Sequence, residues 1–212
     1  MYKFIEPLIL YAVLFLRFSA VVVPEGPLDF SATDEVARIV LYNVPSFALV
    51  WYLLLKAKSL KEWGIELPGK KDLAPFALAF PALVLIGLTI SKVSLSLEEI
   101  PASPRFLPPQ GIVPWGILVI SSFSTAYLEE SFFRFYLLSK REELGLGPHR
   151  AILVSALLFS LSHAYEGPWG FLNAALSGIM LAFIFYRFRS LHGIAFAHAL
   201  YNILVYILNG HE

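Results

Sequence analysis

Seven apolar runs divide the chain, at approximately 4–23, 36–55, 73–91, 113–138, 150–165, 169–187 and 191–208. Each is close to the ~20 residues that cross a hydrocarbon core as a helix. None alternates with period two, and lipid offers no partners to an open strand, so the runs predict helices. Turn-forming residues separate them: Pro24 to Pro27, Pro68-Gly69, Pro101 to Gly111, Gly145 to Pro148 and Gly167-Pro168. No internal repeat is visible. The pattern predicts one all-α domain over 1–212, a polytopic bundle of about seven transmembrane helices.

Charge between the runs adds an orientation. The first connection carries only Glu25, Asp29, Asp34 and Glu35, whereas the second carries Lys56, Lys58, Lys61, Lys70 and Lys71. Lys92 and Arg105 follow the third run, offset by Glu98 and Glu99, and Lys140, Arg141 and Arg150 follow the fourth. The fifth connection has no Lys or Arg, and the sixth has Arg187 and Arg189. The positive-inside bias then predicts a cytoplasmic N-terminus, with the C-terminus outside. The segment from Lys56 to Lys71, with Leu60, Trp63, Ile65 and Leu67 interspersed, reads as an interfacial stretch near anionic headgroups. Arg17 and Arg38, near helix ends, read as snorkelling side chains.

Composition narrows the class. Of 212 residues 58% are hydrophobic and 15% charged, with net charge zero; a soluble domain carries roughly 25% charged residues. The bilayer is the expected partner, and nucleic acid is not. Without cysteine, disulfides, thiolate metal sites and cysteine nucleophiles are excluded. The first run lacks a clear signal-cleavage site and reads as a retained span. Few thermolabile residues hint at a thermophile, which directs the expected location to the plasma membrane of a prokaryote.

Against this background a few polar residues stand out. Glu129, Glu130 and Arg134 lie inside the fourth run, His163 at the end of the fifth, and His198 with Asn202 inside the seventh. An ionised group at mid-membrane costs at least ~2.5 kcal/mol on insertion scales, so such groups face a protein interior. Counted from the nearest cytoplasmic cation, Glu129 is roughly 16 Å deep, His163 roughly 20 Å and His198 roughly 13 Å. Three helices thus bring acid–base groups to similar depths. Glu130 and Arg134 are four apart and can pair, as can the faces of Phe159 with His163 and of His198 with Asn202. Each has a bland reading alone: Glu130–Arg134 as a buried structural pair, a single His or Asn202 as interhelical hydrogen bonders, Phe159 as core. His149, His192 and His211, at boundaries or the tail, read as solvated.

Taken together, Glu129-Glu130-Ser131-Phe132-Phe133-Arg134, Phe159-x-x-x-His163 and His198-x-x-x-Asn202 resemble, in order and spacing, the three motifs of the CAAX-protease and bacteriocin-processing family. The resemblance covers roughly Trp115 to Leu208, and the motif-bearing core runs approximately over 113–208. It implies a glutamate-dependent intramembrane endopeptidase acting on a membrane-associated peptide, either a lipidated CAAX-type protein or a leader peptide. By that analogy Glu129 is the general base, assisted by His163, while His198 and Asn202 form the oxyanion hole, without a metal. The chemistry is coherent: burial among apolar groups strengthens a carboxylate as a base, and His and Asn supply donors for an oxyanion.

Rival readings differ in class. Glu129, His163 and His198 are possible zinc ligands, the minority alternative; His163 is followed by Ala164-Tyr165-Glu166, so no H-E-x-x-H is present. A non-catalytic scaffold or bacteriocin-immunity protein would bind a peptide or partner helix in the same cavity. A proton-coupled transporter would show paired halves or broken helices, which the pattern lacks.

Overall fold

The computed structural model describes residues 2–16, 26–97 and 103–209. Among these the chain is helical, with one isolated bridge between Leu28 and Phe106. We number the helices α1 (Ile5–Leu14), α2 (Ala32–Ala57), α3 (Lys70–Ser96), α4 (Ile112–Ser139), α5 (Pro148–Leu161), α6 (Ala164–Phe188) and α7 (Leu191–Asn209). Five of them, α2, α3, α4, α6 and α7, are long and apolar enough to cross a membrane. The other two are shorter than their apolar runs. At ~1.5 Å per residue, α1 extends roughly 15 Å and α5 roughly 21 Å. Part of the expected first span, including Arg17, lies outside the described residues, as does His211.

The bundle is arranged around α4. Here α6 packs along α5 and α3, while α7 packs along α3 and α4. Gly178 permits the close approach of α6 to α5, since a Cβ there would stand 3.2 Å from the Ala156 Cα. A ladder of polar contacts joins α2 to α4. Asn43 donates to Ser124 at 2.8 Å and Thr125 at 3.0 Å, and the Trp51 indole donates to Ser131 at 3.0 Å. Arg38 sits at the same interface, paired with Glu35 and donating to Ser121 at 2.7 Å. Within lipid such side chains have no water to prefer, so they fasten helices to one another.

Helix ends gather on two faces. On one, Glu6 of α1 accepts from Tyr136 and Lys140 at the end of α4, Trp63 packs on Phe135, and Ser190 donates to Asp72 at the start of α3. On the other, Phe30 and Phe106 meet Tyr206 near the end of α7. The lysine-rich connection and the Lys140 and Arg189 turns share the first face. His192, expected to be solvated, bridges on this side: its Nε2 lies 2.9 Å from the Glu66 carbonyl and its Nδ1 2.6 Å from the Tyr127 hydroxyl. A carbonyl only accepts, so Nε2 carries the proton and Tyr127 donates to Nδ1.

Candidate active site

Within α4 the hydrogen-bonding widens to a π-helix over Glu130–Tyr136, and all seven residues of this turn are buried. Such bulges are frequent at functional positions, where they re-aim side chains; a second one lies in α2 at Ile39–Asn43. The Ser155 hydroxyl of α5 donates to the Phe133 carbonyl at 2.5 Å. Ser131 faces α2, Phe132 and Phe133 meet the aromatic side of α1, and Glu130 and Arg134 point inward.

Glu130 is fully buried and accepts twice at one oxygen: from Arg134 Nη1 at 3.1 Å and from His198 Nδ1 at 2.8 Å. The expected ion pair therefore has a third member on α7, which residue spacing within one helix cannot reveal. An ionised carboxylate can only accept, so Nδ1 of His198 carries a proton and Nε2 is left for other work. Glu129 approaches that second nitrogen, its Oε2 lying 3.6 Å from Nε2. This oxygen is buried and hydrogen bonds to no group among the described residues. The imidazole thus stands between adjacent carboxylates, one at each nitrogen.

Phe159 is the platform on which these groups rest. Arg134 lies over its ring at 4.2 Å, and the rings of His163 and His198 lie 4.5 Å and 5.9 Å from it. A guanidinium on an aromatic face is held by the ring quadrupole, a contact worth roughly 2 kcal/mol when desolvated. Read alone, Phe159 is a core residue; as the first position of the second motif it is expected to pack at the site, and its ring contacts show the groups it packs against.

His163 departs from the expected helical pair. Helix α5 ends at Leu161, and His163 occupies the turn into α6, its backbone N–H donating to Ser160 at 3.0 Å. Its Nδ1 lies 2.8 Å from the Phe159 carbonyl and must donate to it. A neutral His163 therefore presents Nε2 as an acceptor. Tyr165 stacks at 6.4 Å on its ring. Asn202, one turn beyond His198 on the same helix, is half-buried.

The structure thus joins Glu129, Glu130, Arg134, Phe159, His163 and His198 in one contiguous cluster, with Asn202 beside it on α7. Among the described residues no three His, Asp or Glu side chains converge with metal-binding geometry. The cluster couples carboxylates to imidazoles whose tautomers are set by neighbours, which is equipment for moving a proton.

Residues 111–204 match the family model described as type II CAAX prenyl endopeptidase Rce1-like. This part of the chain is similar to the CAAX-protease family. The matched region runs from α4 into α7 and includes all three motifs, and the similarity supports a peptidase embedded in the bilayer. No curated protein and no solved structure matched the chain.

Proposed function

We propose that the chain is an intramembrane endopeptidase in which Glu129 activates water to cleave a peptide bond of a membrane-associated substrate. The observation that carries this reading is the unpartnered, buried Oε2 of Glu129, 3.6 Å from an imidazole nitrogen whose opposite nitrogen is fixed by Glu130. Glu129 takes a proton from water as the water oxygen adds to the scissile carbonyl carbon, and His163 Nε2 accepts a hydrogen bond that orients that water. The oxyanion is met by His198 Nε2 and the Asn202 amide. Because Glu130 already holds the Nδ1 proton, His198 donates from Nε2 only as an imidazolium. Arg134 and the two glutamates together carry one net negative charge, which the imidazolium balances. The proton from water then passes to the departing amine as the C–N bond breaks.

In this reading no metal takes part, and zinc held by Glu129, His163 and His198 is the competing scheme. The basic face lies in the cytoplasm with the N-terminus, in the plasma membrane of a prokaryotic cell. The substrate is a lipidated CAAX-type chain end or a leader peptide brought to the cluster from the bilayer.

The test is a panel of lipidated and leader-type peptides incubated with purified protein in liposomes, products being identified by mass spectrometry, with and without a strong chelator. The proposal expects a defined cut at unchanged rate under chelation. Loss on chelation with rescue by zinc would replace water activation by metal catalysis. Tight binding of a peptide without any cleavage would favour the scaffold reading.

A further inference from the structure

We propose that a cavity on the basic face of the bundle holds the phosphate headgroup of an anionic phospholipid. The cavity, about 290 Å³, lies between the connection after α2, the end of α4 and the end of α6. Its rim carries the cations Lys58, Arg141 and Arg189 and one carboxylate, Glu142, and Phe135, Trp63 and Phe185 form its floor.

Three features point to an anion there. First, the cations outnumber their partners. Arg141 pairs at 2.6 Å with Glu142, whose side chain is 78% exposed, while Lys58 and Arg189 pair with no carboxylate among the described residues. Second, two guanidinium groups share one aromatic neighbour: those of Arg141 and Arg189 each lie 5.8 Å from the centroid of the Tyr186 ring. Cations placed around one cavity repel one another, and an anion held between them relieves that repulsion. Third, Arg189 has φ of 55°, the one positive φ outside glycine among the described residues. It follows α6 at a helix-end position that favours glycine, so this arginine adopts a backbone conformation that side chains rarely take.

The surroundings select a lipid over free phosphate. This face carries the basic connections and lies at the level of the helix ends, where headgroups sit. Basic pockets between membrane helices at that level bind acidic headgroups. From the rim, exposed Tyr186 and Phe183 continue along the lipid side of α6, a track for an acyl chain. The floor residue Phe135 directly follows Arg134, so occupancy bears on the buried turn that carries the catalytic cluster.

The experiment uses delipidated full-length protein in mild detergent, titrated with phosphatidylglycerol, phosphatidylcholine or inorganic phosphate. Tryptophan-fluorescence melting and native mass spectrometry provide the readouts. Phosphatidylglycerol is expected to raise the melting midpoint and remain as a one-to-one adduct, with neither effect from the other two. Arg189→Gly, which suits the backbone and so folds, should weaken adduct retention roughly fivefold, the share of one cation near a surface. K61Q/K70Q, outside the cavity, should leave retention unchanged. Equal retention of phosphatidylcholine, or equal losses in the two variants, would overturn the site. Stabilisation by inorganic phosphate alone would overturn the lipid assignment.

Discussion

Replacing Arg134 by Met removes a fully buried cation and leaves its partner stranded. Glu130 has no exposed surface, and its described hydrogen bonds come from Arg134 at 3.1 Å and His198 at 2.8 Å. Taking one partner from a buried pair typically costs about 3–5 kcal/mol, because the remaining charge keeps its desolvation penalty. The cation–ring contact at 4.2 Å to Phe159 is also lost, adding roughly 1–2 kcal/mol. His198 can partly neutralise the abandoned carboxylate, which pulls the sum back toward about 4 kcal/mol. Glu130→Leu should be at least as harmful, since it strands Arg134 and frees His198 Nδ1 together. The double variant R134M/E130L leaves no stranded charge of the pair and should be less destabilised than either single one. With no cysteine for thiol probes but four tryptophans, melting in detergent can be followed by intrinsic fluorescence. At roughly 2–4 °C per kcal/mol, each single variant should melt on the order of 10 °C below the parent. Singles within 2 °C of the parent, or a double variant equal to the sum of its parts, would refute a coupled buried pair.

Three further expectations follow from other parts of the bundle. Gly193→Ala puts a Cβ 2.6 Å from the Asp72 carbonyl oxygen and 2.7 Å from Pro75 Cγ, so it should separate α7 from α3 and destabilise by about 1–3 kcal/mol in the same melting assay. Single cysteines at Lys61 and Pro104 should react with an impermeant thiol reagent from opposite sides, Lys61 from the cytoplasm; labelling from one side would break the topology. Asn202→Ala should lower the cleavage rate by roughly 10²–10³-fold with melting unchanged, the share of one oxyanion donor; an unaltered rate would remove Asn202 from the site.

How legible the molecule is from its residues depends on which physical constraint acts. The helices are plain because lipid allows an exposed backbone no other state, and the grouping of their ends follows from how the lysines and arginines are distributed. The end of α5 is not. The apolar run continues past Leu161, and the first strong breaker is Gly167. Yet Ser160, Ser162 and His163 are all side chains that compete for local carbonyls. In the structure Ser160 donates to Leu157 at 3.0 Å and Ser162 to Phe159 at 2.7 Å. That cluster is the signal that could have placed His163 in a turn. The Glu130–Arg134 pair is readable from its spacing of four, whereas the bond from His198, sixty-eight residues away in the chain, arises from packing between helices. The widened turn over Glu130–Tyr136 has no marker in its own residues; it answers to contacts supplied by Ser155 and Trp51 from neighbouring helices.

Glu129→Gln changes one oxygen to an amide and keeps the shape of the side chain, so it separates chemistry from binding. The decisive measurement is cleavage and binding of one substrate peptide by the parent and by this variant, side by side in liposomes of the same composition. Water activation at Glu129 predicts that the variant binds the peptide within a few-fold of the parent while cleavage falls by at least ~10²-fold, the scale of general-base catalysis. Cleavage by Glu129→Gln at the parental rate would contradict it.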